Sequence, residues 1–343
     1  MTKIDIYSGF LGAGKTTLIA KMLKEHYAGQ KIVLIENEFG EIGIDGGFLQ
    51  EAGVEIREMN SGCICCSLVG DFGKALSQVL TDYAPDRIII EPSGVGKLSD
   101  VIAAVEKVDG AEVAFKVTVA DATKVKSYMR NFGEFYNNQI EAASAVILSR
   151  TANIAQDKLL NAVELIRRIN PHCTVITTPW EELTGEQLAD AMAGADTVAH
   201  FLAEMEEEHH CCGHHHDHDH HDHDCGCGHH HDHDHHDHDC GCGHHHDHHH
   251  HHADEAFTAW GVETAKKFTQ EELHIVLSAF DAQLCGTILR AKGIVPAPDG
   301  AWLHFDYVPG EHNIRTGSAG ITGKLCVIGA KIEEDKIKTL FGV

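Results

Sequence analysis

Between His209 and His252 the chain uses only four residue types, 24 His, 9 Asp, 6 Cys and 5 Gly. With no aliphatic or aromatic side chain, this stretch cannot join a hydrophobic core and is expected to be disordered without a ligand. The folded parts must therefore be assembled from the residues on either side of it. Every side chain in the tract except Gly can ligate a metal ion. The unit His214–Asp224, followed by Cys-Gly-Cys-Gly, recurs 15 residues later from His229 to Gly243. Fold-forming repeats are longer and carry apolar positions that stack, so this one multiplies ligands instead of building a solenoid. A purification tag would sit at a terminus, and a merely solvated linker has no need of so many imidazoles. The candidate ligands are His214, His215, His216, Cys225, Cys227, His229, His230, His231, Cys240 and Cys242.

A chain of 343 residues can hold two domains with real cores. Its formal charge of -25 is unevenly placed: 15 acidic residues and no Lys or Arg lie between Phe201 and Glu255, which leaves -10 for the rest. No basic stripe offsets this acidity, so nucleic acid is not an expected partner. Apolar runs such as Ala143–Leu148 are too short to cross a bilayer. The opening MTKIDIYSGF has no apolar signal core, and no secretory leader or membrane association is expected. Nine of the 12 Cys cluster as CICC, CC and two CGC units, a pattern that favours reduced thiolates in a cytosol over disulfides.

Before the tract, short β-branched runs alternate with amphipathic stretches. Strands are expected at 4–8, 31–35, 87–91, 115–121, 145–148 and 174–177, with helices at 17–26, 68–80 and 156–169. This alternation predicts an α/β fold with a doubly wound, mostly parallel sheet. After the tract, strands at 286–293, 301–308 and 324–330 with helices at 271–280 and 333–340 predict a small α+β domain. The expected division is a nucleotide-binding domain over 1–200, a metal-binding linker over 201–255 and a C-terminal domain over 256–343.

Gly9-Phe-Leu-Gly-Ala-Gly-Lys15-Thr16 fits G-x-x-x-x-G-K-[ST] without a mismatch, between an expected strand and an expected helix. The backbone amides from Gly12 through Ala13 and Gly14 to Lys15 can point at phosphate oxygens, an approach that bulkier side chains would obstruct. Lys15 supplies a point charge for the β- and γ-phosphates, Thr16 a hydroxyl for Mg2+, and Thr17 a contact for the α-phosphate. The apolar strand Ile88–Glu91 ends in a carboxylate and continues as Pro-Ser-Gly94, where the acid of a Mg2+ water shell is expected.

Cys63, Cys65 and Cys66 lie within four residues of one another, after the turn-forming Asn60-Ser61-Gly62. Three thiols so close can converge on one soft ion and leave a fourth position for a carboxylate or a recipient's ligand. Such an open site suits transfer, whereas a closed one suits retention. The acidic, Gly-rich stretch Glu36–Asp45 lies between the phosphate loop and these cysteines. It is a candidate sensor of the γ-phosphate, and its Glu38 and Glu41 are candidates to complete the thiolate site. A solvated acidic loop is the alternative.

Together GFLGAGKTT from Gly9, ENEFGEIGID from Glu36, GCICCSL from Gly62 and EPSG from Glu91 resemble the CobW-like family of metal-handling GTPases, relatives of HypB and UreG. RAKGIV from Arg290 and AWLHFDYVPG from Ala301 resemble that family's small C-terminal domain. The resemblance implies a GTPase that uses GTP and Mg2+, binds a transition metal (Zn2+ foremost, Co2+ or Ni2+ as alternatives) at Cys63, Cys65 and Cys66, and delivers it to a client metalloprotein. Lys15, Thr16 and Glu91 would then be the catalytic residues. One departure stands out. Where N-K-x-D should read guanine, the chain has Ser149-Arg150-Thr151-Ala152. The Arg150 stem can stack on a base, but the acidic acceptor is missing, and Asn153 one position later is a partial substitute. A metal buffer acting mainly through the tract is the rival reading; a small-molecule kinase would leave CICC and the tract unexplained. Cys173, Cys285 and Cys326 stand alone among apolar neighbours and are expected in cores. His26, His172, His200, His274, His304 and His312 are expected to be isolated.

Overall fold

The computed structural model describes residues 1–36, 54–58, 69–194 and 258–343, together with Val198, Leu202 and Met205. The first unit is a parallel seven-stranded sheet. Its strands are β1 (Thr2–Gly9), β2 (Ile32–Glu36), β3 (Val54–Glu58), β4 (Arg87–Glu91), β5 (Ala111–Asp121), β6 (Ala145–Ser149) and β7 (Thr174–Ile176). They lie in the order β3-β2-β4-β1-β5-β6-β7. The connecting helices are α1 (Lys15–Glu25), α2 (Val69–Tyr83), α3 (Leu98–Val105), α4 (Val125–Glu141), α5 (Gln156–Ile169) and α6 (Gly185–Met192). The strands are apolar at consecutive positions because helices cover both faces. Ile4, Ile6, Val33, Ile35, Ile88 and Ile90 face one core. Tyr7, Leu34, Ile89, Val119 and Ile147 face the other, which α1 and α6 help to close.

The chain lays β2, β3 and then β4 on one side of β1 and crosses to the other side for β5, β6 and β7, so β1 stands between β4 and β5. In such sheets ligands bind at the carboxyl ends of the strands, where the order reverses. Gly9, Glu91, Asp121 and Ser149 each end one of these neighbouring strands, with Gly9 beside Val119 and Asp121 beside Ser149 in register. At the opposite end a buried polar cluster ties the sheet together. Arg87 donates to both oxygens of Asp5 at 2.7 and 2.6 Å, and Tyr27 donates to Asp5 at 2.6 Å.

The second unit is an antiparallel five-stranded sheet of β8 (Thr258–Thr264), β9 (Thr287–Pro296), β10 (Trp302–Val308), β11 (Glu311–Thr316) and β12 (Gly323–Ala330). Its order is β11-β10-β9-β12-β8. Helices α7 (Gln270–Asp281) and α8 (Glu334–Phe341) bury Leu273, Leu277, Phe280, Ile337 and Phe341 against it. A reciprocal cap starts α7: Thr269 accepts from the Glu272 amide at 3.1 Å and its own amide donates to Glu272 at 2.8 Å.

The two units are joined by specific contacts. The Thr177 and Thr178 amides donate to the Ile321 carbonyl at 3.0 and 3.2 Å. Thr178 Oγ1 donates to the Gly320 carbonyl at 2.6 Å, and Ile321 itself packs into the first unit's core. Arg167 of α5 pairs with Glu263 of β8. No helix among the described residues is long and apolar enough to cross a membrane.

Candidate functional site

The loop from Gly9 to Gly14 turns the end of β1 into α1. Gly9, Gly12 and Gly14 all have positive φ, at 144°, 68° and 102°. Gly14 is doubly constrained, since a Cβ there would also lie 3.0 Å from the Trp180 ring. The first-turn amides of α1 have no partner within the helix, and with the helix dipole they present a positive surface to an anion.

Three side chains meet at the start of that helix. Thr16 Oγ1 lies 3.1 and 3.2 Å from the two Glu91 carboxylate oxygens. Lys15 Nζ lies 3.7 Å from the same carboxylate, and both side chains are 5 % exposed. Glu91 reaches them because β4 lies directly beside β1. A hydroxyl beside a buried carboxylate is a hard, all-oxygen donor set, which fits Mg2+ and not a soft metal. Sequence reasoning placed Lys15, Thr16 and Glu91 in one site, and the structure brings them together.

The loop after Glu91 is fitted against the phosphate loop. A Cβ at Gly94 would come within 2.8 Å of the Leu11 amide nitrogen, so only glycine permits this approach. Buried Gln139 of α4 holds the loop from behind, donating from Nε2 to the Gly94 and Gly96 carbonyls at 3.1 and 2.8 Å. Nothing in the local sequence around Gln139 signals this role, because its partners lie more than 40 positions away.

Beside Gly14 and Thr17 opens a cavity of about 310 Å³, lined also by Ala13, Arg150, Trp180 and Glu181. Arg150 follows β6 with φ 59°, a region that non-glycine residues seldom occupy. This turn sends its guanidinium back to Asp121 and, at 3.1 Å, to the Gly12 carbonyl. The charge is thus spent on the protein, while the residue still lines the cavity. Thr151 and Ala152 line it as well, but Asn153 does not. Trp180 and Glu181, which sequence reasoning missed, arrive on the short helical turn Trp180–Glu182 after β7. Its volume and its place next to an anion-binding loop make this cavity a candidate for the base end of a nucleotide site.

The remaining candidates fall into two groups. Cys63, Cys65, Cys66, Glu38, Glu41 and the tract ligands His214, His215, His216, Cys225, Cys227, His229, His230, His231, Cys240 and Cys242 lie outside the described residues, as does His200. Cys173, Cys285 and Cys326 are buried free thiols, as their apolar neighbours suggested. Burial pushes Cys173 up to about 11 and Cys326 up to about 12, which keeps both protonated and unreactive. His274 and His312 depart from the expectation of isolation, since their Nδ1 and Nε2 atoms meet at 2.7 Å across α7 and β11. Among the described residues there is no group of three or more His, Cys, Asp or Glu arranged to hold a metal ion.

Comparison with known proteins bears on the whole chain. A family model described as the CobW/HypB/UreG nucleotide-binding domain matches residues 3–177. A second, described as the cobalamin synthesis protein cobW C-terminal domain, matches residues 257–342. A zinc chaperone CobW from Sinorhizobium sp is 32% identical over 251 residues, covering 63% of this chain and 70% of the relative. Zinc-regulated GTPase metalloprotein activator 1 of Schizosaccharomyces pombe is 28% identical over 196 residues, covering 52% of this chain and 46% of the relative. Among solved structures, the zinc-bound YjiA GTPase from E. coli aligns over 99% of this chain and 98% of its own, at 18% identity and a TM-score of 0.40.

Proposed function

Because this chain belongs to the CobW/HypB/UreG family of P-loop GTPases, we propose that it is a GTP-hydrolysing metallochaperone. It takes up a transition metal and passes it to a client metalloprotein under nucleotide control. Zinc is the leading metal, in keeping with the relatives' descriptions as zinc chaperones, and cobalt or nickel are the alternatives. The organisation that serves this is a GTPase domain over 1–200, a metal-binding linker over 201–255 and a C-terminal domain over 256–343. The observation that carries the reading is the convergence of Lys15 and Thr16 on the buried Glu91 at the head of the phosphate loop.

Each residue has a stated task in hydrolysis. The oxygen of a water attacks the γ-phosphorus, the bond to the β–γ bridging oxygen breaks, and GDP and phosphate leave. Lys15 places a fixed cation beside the β- and γ-phosphate oxygens, where negative charge must be tolerated. The amides of Gly12, Gly14 and Lys15 hold the phosphates in place without any side chain having to reorganise, while the Ala13 amide is engaged by the Phe10 carbonyl at 3.1 Å. Thr16 and Glu91 would hold Mg2+, which when bound neutralises phosphate charge. Gly94, held by Gln139, keeps the loop after Glu91 against the phosphate loop, where a γ-phosphate can be sensed through the backbone. Arg150 and the cavity beside it receive the base.

The cargo site is the trio Cys63, Cys65 and Cys66, with Glu38 and Glu41 as candidate completing ligands. Their place in the sequence, between the phosphate loop and the Glu91 strand, supports a link between nucleotide state and metal affinity. The tract ligands would act as a reservoir. The test is Co2+ titration of the full chain with GTP, with GDP and without nucleotide, followed by the thiolate-to-cobalt absorption. The same titration on a Cys63→Ser, Cys65→Ser, Cys66→Ser variant separates the trio from the tract. A nucleotide-dependent affinity that disappears in the variant is expected. Identical affinities in all three nucleotide states would refute the coupling.

A further inference from the structure

Among the described residues, the cavity at the base end of the site is lined by a single acid, Glu181. Guanine presents two adjacent donors on one edge, N1–H and the exocyclic amine, and a carboxylate can accept from both. Adenine turns a lone pair toward the same position, so a carboxylate there separates the two bases. In this chain the strand β6 does not supply that acid, because Ala152 stands where N-K-x-D would place it.

The turn bearing Glu181 is fixed from two sides. Trp180, 7% exposed, lies against Gly14 of the phosphate loop, so closely that a Cβ there would be 3.0 Å from the ring. Immediately before it, the Thr177 and Thr178 amides are anchored on Ile321 of the second unit. Glu182, the next residue, lines a different cavity of about 270 Å³ between the two units. Of the two glutamates of this turn, Glu181 is therefore the one on the nucleotide side. Its carboxylate has no hydrogen-bond or ion-pair partner among the described residues, whereas the one cation lining the cavity, Arg150, is already engaged by Asp121 and Gly12. Thr151, which lines both cavities, has a buried hydroxyl without a partner among the described residues. The carboxylate of the exposed Glu181 is thus open to a ligand that enters this cavity.

We propose that Glu181 is the guanine-reading residue of this chain, taking from the turn after β7 the role that β6 has given up. The proposal rests on the GTPase reading above and makes it specific. The experiment is displacement of a fluorescent GTP analogue from the full chain by GTP, ATP and XTP, on the natural protein and on Glu181→Gln and Glu182→Gln. The natural chain is expected to prefer GTP to ATP. Glu181→Gln should weaken GTP by about 10- to 100-fold, the range for losing charge-assisted hydrogen bonds. It should leave ATP affinity unchanged and improve XTP, because the new amide can donate to the xanthine 2-oxygen. Glu182→Gln should behave as the natural chain does. An unchanged GTP-to-ATP ratio in Glu181→Gln overturns the role of Glu181 while leaving the GTPase reading intact. So does an equal loss of all three nucleotides. A natural chain that binds GTP and ATP alike overturns the proposal together with the guanine preference.

Discussion

Two buried charged residues, Glu91 and Lys324, show how burial weighs on an ionised group. Glu91 is surrounded by groups that answer its charge, with the Lys15 cation and the Thr16 hydroxyl within reach. Lys324 of β12 is 5% exposed, and burial lowers its pKa to about 8. The unfolded chain, with a lysine pKa near 10.5, binds more protons than the folded one between those two values. The cost of burying this charge is therefore complete below pH 8 and gone above pH 10.5. Lys324→Met should raise stability at pH 7 by about 1–3 kcal/mol, at roughly 1.4 kcal/mol per pKa unit. In paired thermal melts across pH 7 to 10.5, the gap between variant and natural chain should shrink steadily. A gap independent of pH would mean that packing, and not charge, explains the difference. Comparing the pair at each pH also cancels the buried thiol of Cys173, which acts in the opposite direction above pH 9.

Among elements, the strands that the sequence makes plain are those inside the sheets. The apolar runs of β1, β2, β4, β5 and β6 are legible because helices cover both of their faces. The strands that went unread, β3, β8 and β11, all lie at sheet edges. Residues Glu311–Thr316 of β11 alternate only between exposed and half-buried, so no apolar pattern marks them. The edge strand β7 was legible because its Thr-Val-Ile is fully buried. The site divides in the same way. Lys15, Thr16 and Glu91 carry a motif, whereas Gln139, Trp180 and Glu181 join the site through β-sheet order and a turn, which spacing along the chain does not encode. Helix α7 offers a test of a local signal: its Thr269–Glu272 cap reads directly from the sequence. Thr269→Ala should cost about 1 kcal/mol and lower the melting temperature by about 2–4 °C. Calorimetry would check this, and no change in melting temperature would show that the cap is redundant with the packing of Leu273 and Leu277.

At the scale of the whole molecule, two sheets of different kinds share a seam. Chain order separates them by the tract of His, Asp, Cys and Gly, yet Arg167 reaches Glu263 and Ile321 sits in the first unit's core. At this seam the amides of Thr177 and Thr178 both donate to the one Ile321 carbonyl. Those two protons can serve as a clock for separation of the halves. Neither can exchange with solvent deuterium through this bond until the Ile321 carbonyl withdraws, so the pair should exchange slowly and with one shared protection factor. Unequal protection would indicate fraying within the turn. A common value would report, in a single measured number, how rarely the halves of this protein part.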